Sequence, residues 1–314
     1  MRLIAALVLL PLLIAAILGT AFFVRNRSNG SIVVAGEERV YLVHVPPGYD
    51  RTRAVPLVIS MHGAGGWPAQ QMRMTQWNRL ADRDNFIVVY PSAARMAGPR
   101  IWRVSDTAYI AQLIDRLERD YNIDRSRVYA NGFSNGGGMT FVLSCTIANR
   151  LAAVGLSGAA QTFPWRWCPD TRAIPMIAFH GTADRFAPYL GGPSPIAPAA
   201  HPFPNIPLWV AKWAARNHCT APPVSSRVAS DVTRTTYSPC AADVAFYTVE
   251  GGGHQWFGGQ PLPTWFVGPD PGTIDTSAEM WAFFQAHPRR PSPPHRETAG
   301  LAKSQPLHVQ DPDS

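Results

Sequence analysis

Arg127-Val128-Tyr129-Ala130-Asn131-Gly132-Phe133-Ser134-Asn135-Gly136-Gly137-Gly138 carries the most informative pattern in the chain. It opens with Val128-Tyr129-Ala130, a short apolar run of strand character, passes through Gly132-Phe133-Ser134-Asn135-Gly136, and continues into the helix-compatible stretch Gly136–Ala148. A G-x-S-x-G string alone arises by chance in glycine-rich turns. Set between a strand and a helix it reads as a nucleophile elbow, in which a sharp turn exposes the serine hydroxyl. The flanking glycines keep side chains away from the serine and from the helix behind it. The helix N-terminus points its positive dipole end at the place where negative charge would develop. Ser134 is therefore the candidate nucleophile.

Outward from this stretch, β-rich runs alternate with helical ones. Strand character appears at Val40–Val45, Leu57–Met61, Phe86–Tyr90, Ala153–Leu156, Met176–Phe179 and Val244–Val249. Several of these are nearly continuous apolar runs, as expected of strands covered on both faces. Helices are predicted over Gln71–Asp82, Thr107–Tyr121, Leu208–Asn217 and Ser277–Ala286. In the second, Ile110, Leu113, Ile114 and Leu117 recur at helical spacing and mark a core-facing stripe. Thr276 and Glu279 suggest a capping box for the last helix. The alternation implies an α/β protein with a mainly parallel sheet and helices on both faces. With the elbow, that is the α/β-hydrolase fold, in one catalytic domain over residues 38–287. Gly191–Pro207, rich in proline and glycine, should be an irregular excursion, and residues 288–314 read as a disordered tail.

A serine hydroxyl is a weak nucleophile without a base, and in this fold acid and base follow the serine in that order. Six of the nine histidines come after Asp184, so position must choose among them. His254 alone directly follows a predicted strand, in Glu250-Gly251-Gly252-Gly253-His254, and is the candidate base. Asp184 lies just past the strand that opens Met176-Ile177-Ala178-Phe179-His180-Gly181, and is the candidate acid that orients the imidazole. His180 reads as a hydrogen-bonded structural histidine. Oxyanion donors are expected from the N–H of Asn135 and from the loop His62-Gly63-Ala64-Gly65-Gly66, with Ala64 assigned and Gly65 the near alternative. Among the aromatics Trp67, Trp102, Trp165, Trp167 and Trp256, the last lies two residues past His254 and is the candidate substrate contact.

The composition narrows the function classes. The formal net charge is +7, but the basic residues are scattered and form no run interleaved with aromatics, which argues against a nucleic-acid partner. No C-x-x-C or H-E-x-x-H pattern is present, so neither a metal nor another cofactor is expected. Residues 1–28 open with Met1 and Arg2, run through the uncharged stretch Leu3–Val24, and end near Arg25 and Arg27. That pattern fits both a cleaved export signal and an uncleaved membrane anchor, and either places the body outside the cytoplasm. Membrane contact is expected only through this segment. Cys145, Cys168, Cys219 and Cys240 allow three pairings. Pairing Cys145 with Cys168 and Cys219 with Cys240 closes two short loops and is favoured, in keeping with an oxidising compartment.

Taken together, HGAGG at His62–Gly66, the run Asp120-Tyr121-Asn122-Ile123-Asp124, GFSNGG at Gly132–Gly137, HGTAD at His180–Asp184 and GGGHQW at Gly251–Trp256 resemble the polyhydroxybutyrate depolymerase-type esterases, which include related feruloyl and acetyl-xylan esterases. The resemblance runs from about Val40 to Ala286. It implies an α/β-hydrolase domain, no metal, hydrolysis of carboxylic esters, and a triad on Ser134, Asp184 and His254. The cysteine positions also resemble the family's, in support of the sequential pairing. The chain departs from the usual GGGHTWPG, carrying Gln255 and Phe257 in the threonine and proline positions. Two other readings stay open: a secreted serine peptidase, and a catalytically silent binding protein that retains the fold.

Overall fold

The computed structural model describes residues 27–94, 99–159, 161, 163, 165, 168, 172–196 and 201–289. The whole apolar run Leu3–Val24, and the predicted tail beyond Arg289, therefore lie outside the described residues. Ten described strands form one sheet in the order β1-β2-β4-β3-β5-β6-β7-β10-β9-β8. They are β1 (Gly30–Val34), β2 (Glu37–His44), β3 (Val55–Met61), β4 (Ile87–Pro91), β5 (Ile123–Phe133), β6 (Ala153–Ser157), β7 (Met176–Gly181), β8 (Val224–Ala229), β9 (Val232–Tyr237) and β10 (Val244–Val249). The central six, from β4 to β10, are parallel, while β1, β2, β8 and β9 flank them with antiparallel pairings.

Alternation along each central strand feeds two cores. Leu57, Ile59 and Met61 of β3 pack to one side and Val58 to the other. The first core receives α3 (Asp106–Asp120), α4 (Asn135–Thr146) and α5 (Ile206–Arg216); Ile110, Leu113, Ile114 and Leu117 of α3 face it as their spacing predicts. The second core receives α1 (Pro68–Thr75), α2 (Trp77–Asp84) and α7 (Thr276–Ala286). There Phe284 stacks on Tyr129 with ring centroids 4.7 Å apart, and Phe86 stacks on Trp281 at 3.9 Å. Both faces of the central strands are thus dry, which is why their sequences are almost wholly apolar.

Several local expectations shift. The single helix predicted over Gln71–Asp82 is two, broken at Gln76, whose φ of 53° is left-handed. The break is tolerated because the carbonyls of Met74 and Thr75 are taken up by the Gln260 N–H at 2.9 Å and the Ser277 hydroxyl at 2.6 Å. The cap of α7 is Asp275, whose carboxylate accepts from the Ala278 N–H at 3.0 Å, so Thr276 is the first helical residue and the proposed capping box does not form. Glu279 instead accepts from the Tyr247 hydroxyl at 2.9 Å. At the margins, β1 extends the sheet ahead of residue 38, and Arg289 at the start of the predicted tail is tied to the body by its N–H to the Ser126 carbonyl at 2.7 Å. In Gly191–Pro207 the described part is irregular apart from a bridge between Gly192 and Phe203, until α5 begins at Ile206. The cysteines are bonded as Cys145–Cys168 and Cys219–Cys240.

Parallel strands end on one edge of a sheet. The loops after β3, β5, β6, β7 and β10 therefore gather there, and with them His62–Gly66, Ser134, Gly158, Asp184 and His254.

Candidate active site

Ser134 sits between β5 and α4 with φ 53° and ψ −121°, a backbone conformation that non-glycine residues rarely adopt. Two glycines make the turn possible through close approach. A Cβ on Gly132 would lie 2.2 Å from the carbonyl carbon of Gly136, and one on Gly136 would lie 2.3 Å from the Met61 oxygen. The Ser134 N–H donates to the Ser157 carbonyl at 3.1 Å, which ties the turn to the end of β6. Ser134 is half-buried, while Phe133 before it and Asn135 after it are buried.

Asp184 Oδ2 and His254 Nδ1 are 2.7 Å apart, with both side chains nearly inaccessible to solvent. A carboxylate accepts, so Nδ1 carries the proton and Nε2 is left as the basic nitrogen. The other carboxylate oxygen accepts from the N–H groups of Phe186 and Ala187, each at 2.8 Å. Burial pushes the Asp184 carboxyl up, but the His254 charge and hydrogen bond, aided by His180 and the Ala187 amide, outweigh it and hold the group below its usual range. His180, as read from the sequence, is buried and hydrogen-bonded: its Nε2 lies 2.8 Å from the Ala187 carbonyl and 3.4 Å from Asp184 Oδ2. Burial lowers its pKa despite the neighbouring carboxylate.

The His254 ring lies between Phe133, 4.8 Å away, and Phe186, stacked at 4.9 Å. A Cβ on Gly158 would come within 3.2 Å of His254 Nδ1 and 3.3 Å of the Phe133 ring. The Asp184–His254 hydrogen bond is formed, whereas among the described residues none joins Ser134 to His254. His254 packs on Phe133, the residue before Ser134, and catalytic contacts commonly tighten only when substrate is bound.

The loop after β3 faces the serine from the other side. A Cβ on Gly63 would stand 3.2 Å from Ser134 Cβ, a close approach that the sequence reading did not assign. The N–H of Gly65 donates to the Arg100 carbonyl at 2.8 Å, which occupies it and removes Gly65 as the alternative donor. Neither Ala64 nor Asn135 spends its N–H on a backbone carbonyl among the described residues. His62 anchors this loop: Nδ1 lies 2.7 Å from the Gly63 carbonyl, and Nε2 accepts from the Ala93 N–H at 3.1 Å. Burial holds its pKa down to about 4, so the ring is neutral. Trp102 bridges the two sides, its indole N–H donating to the His62 carbonyl at 2.8 Å and its backbone N–H to the Asn135 side chain at 2.7 Å.

Trp256 is placed elsewhere. It is 1% exposed, packs in the second core, and donates its indole N–H to the Ser277 hydroxyl at 2.9 Å. Its ring is enclosed by packing and not presented at the surface. Trp165 packs with Phe141, Trp209 and Trp213, and Trp167 lies outside the described residues. The aromatics that flank His254 are Phe133 and Phe186, with Phe266 beyond the latter at 5.1 Å. The signal that could have found Phe266 is Thr264-Trp265-Phe266-Val267, an aromatic pair in a short segment flanked by Pro263 and Gly268.

The chain resembles known esterases in sequence and in fold. A family profile described as "Esterase PHB depolymerase" matches residues 39–163. A probable feruloyl esterase C of Aspergillus clavatus is 30% identical over 237 residues, covering 72% of this chain and 78% of that protein. A bifunctional acetylxylan esterase/xylanase of Neocallimastix patriciarum is 37% identical over 132 residues, and feruloyl esterase B of Piromyces equi is 27% identical over 227. These matches span 41% and 69% of this chain, but only 19% and 42% of those two longer proteins. Among solved structures, an acetyl xylan esterase from Aspergillus awamori superposes with a TM-score of 0.56 at 17% identity, covering 78% of this chain and 93% of that one. A ferulic acid esterase from Anaeromyces mucronatus gives 0.51 at 15% identity, covering 83% of this chain and 90% of that one. The chain has the α/β-hydrolase fold and belongs to the PHB depolymerase-type esterases, a family related to the feruloyl and acetylxylan esterases.

Proposed function

We propose that this chain hydrolyses carboxylic esters through an acyl-enzyme, with Ser134 as nucleophile, His254 as base and Asp184 as the acid that orients it. The observation that carries the reading is a serine on a left-handed elbow beside a buried Asp184–His254 pair at 2.7 Å, on neighbouring ends of parallel strands. Ser134 Oγ adds to the ester carbonyl carbon as its proton passes to His254 Nε2. The carbonyl oxygen becomes an oxyanion facing the N–H groups of Ala64 and Asn135. Collapse breaks the bond to the alcohol oxygen, which takes the proton from Nε2 and leaves. Water then repeats the sequence on the acyl-serine and releases the carboxylic acid. Asp184 stays ionised throughout, in keeping with the downward shift of its pKa.

The esterase names carried by the relatives support an ester as the bond attacked. The two disulfides support an oxidising compartment outside the cytoplasm. The test is a fluorophosphonate label followed by peptide mapping, with ethyl acetate hydrolysis of wild type beside Ser134→Ala. Label on Ser134 and loss of turnover in the variant are expected. Unlabelled protein without turnover would favour a silent binding protein.

A further inference from the structure

One segment near His254 is left unexplained by the triad and the oxyanion loop. The short helix α6 (Thr264–Val267) carries Trp265 at 85% exposure and Phe266 at 49%, two adjacent aromatic rings open to solvent. The pair is continuous with the site. Trp265 lies 5.6 Å from Phe266, Phe266 packs edge-on against Phe186 at 5.1 Å, and Phe186 stacks on the His254 imidazole at 4.9 Å. The result is an aromatic ladder from the imidazole face out to solvent.

The ladder is held by Gln255. Its carboxamide nitrogen donates to the carbonyls of Leu262 at 3.1 Å and Gly268 at 3.0 Å, and its oxygen accepts from the Leu262 N–H at 3.0 Å. The two ends of the loop that bears α6 are thereby clamped by one side chain, and the adjoining His254 N–H donates to the Val267 carbonyl at 2.6 Å. Gln255 is 1% exposed, and no shorter side chain could reach both ends of the loop. Gln255 stands where the motif the chain resembles has a threonine, whose single hydroxyl offers no such reach.

The side of the substrate that meets this ladder follows from the chemistry. His254 must hand its proton to the alcohol oxygen as the ester breaks, so that oxygen leaves beside the imidazole. Groups stacked on the imidazole and running outward from it therefore border the alcohol half of the ester, while the acyl carbonyl points to the Ala64 and Asn135 amides. We propose that Phe186, Phe266 and Trp265 form an alcohol-side subsite for a planar aromatic group, and that Gln255 is the positioning residue that sets it. This rests on the triad reading above.

The experiment keeps the acyl group constant and varies the alcohol among members of similar acidity. Kinetics are measured on ethyl acetate and benzyl acetate for wild type, Ser134→Ala, Trp265→Ala, Phe266→Ala and Gln255→Thr, with ethyl benzoate as the acyl-side control. Each exposed-ring variant should lower the benzyl-to-ethyl ratio of kcat/KM about 5- to 10-fold, chiefly through KM. Gln255→Thr should lower the same ratio with every ring still present, and the ethyl benzoate-to-ethyl acetate ratio should stay level. Because Trp265 is exposed, its variant keeps the wild-type unfolding temperature, which separates the effect from misfolding. An unchanged benzyl-to-ethyl ratio in Trp265→Ala and Phe266→Ala, or a loss confined to ethyl benzoate, overturns the subsite. Hydrolysis that survives Ser134→Ala, or is absent in wild type, overturns the triad reading instead.

Discussion

The side-chain oxygen of Asn135 accepts the backbone N–H of Trp102 at 2.7 Å, while the Trp102 indole N–H holds the His62 carbonyl at 2.8 Å. One tryptophan thus fixes the spacing between the two stretches expected to supply oxyanion donors. Neither hydrogen bond touches the reacting atoms.

Asn135→Ala leaves its backbone N–H in place but frees the Trp102 segment. We expect kcat to fall about 10-fold with KM nearly constant, less than the 10²–10³ typical of losing a donor outright. Steady-state kinetics on ethyl acetate give the answer, and an effect only on KM would mean that the bridge does not set donor spacing.

Ser134 holds φ 53°, a conformation that glycine adopts without penalty and alanine does not. Both Ser134→Gly and Ser134→Ala should be inactive, yet the glycine variant should be the more stable by about 1 kcal/mol after allowing for its looser unfolded chain. Urea unfolding of the two variants side by side tests this. Equal stability would mean that the elbow stores no strain at this residue.

Gly136→Ala forces a methyl group against the Met61 oxygen at 2.3 Å, where backbone rather than a movable side chain must give way. A loss of about 1–3 kcal/mol is expected, with turnover reduced because α4 and the end of β3 are pushed apart. Thermal unfolding together with kinetics reports both. A stable, active variant would show that the helix can shift at no cost.

His62 makes stability depend on pH. Its folded pKa is about 4, below the 6.5 of an unperturbed histidine, so between these values the unfolded chain binds a proton that the native chain refuses. Stability attributable to this residue is complete above about pH 6.5 and declines as the pH falls toward 4, by on the order of 3 kcal/mol in all. Burial of His180 lowers its pKa and works in the same direction. Unfolding temperatures measured from pH 7 to 4.5 should drop more steeply for wild type than for His62→Asn, even though the variant starts lower. Parallel slopes would mean that the ring titrates normally.

Much of the candidate site was readable locally. Gly132-Phe133-Ser134-Asn135-Gly136 needs those residues because the backbone there turns left-handed within van der Waals contact of the following helix. Asp184 and His254 could be placed because each follows the end of an apolar strand, and parallel strands deliver their ends to one edge. What failed to show were elements whose stabilising partners are remote. β8 and β9 lie at the sheet margin with little burial, so Val224-Ser225-Ser226-Arg227-Val228-Ala229 carries almost no hydrophobic pattern. The break at Gln76 depends on Gln260 and Ser277, nearly 200 positions away, to receive the freed carbonyls.

The sequence by itself determined the fold class, the elbow and the order of serine, aspartate and histidine, because strand alternation and steric need for glycine are properties of a few consecutive residues. Only the tertiary structure decided which aromatics are exposed in the ring chain that leads out from His254. Trp256 and Trp265 are equally apolar in sequence, yet one is sealed in the core by Ser277 and the other stands in solvent beside Phe266 and, through it, Phe186. Burial is set by what packs against a side chain, and those neighbours come from strands and loops distant along the chain.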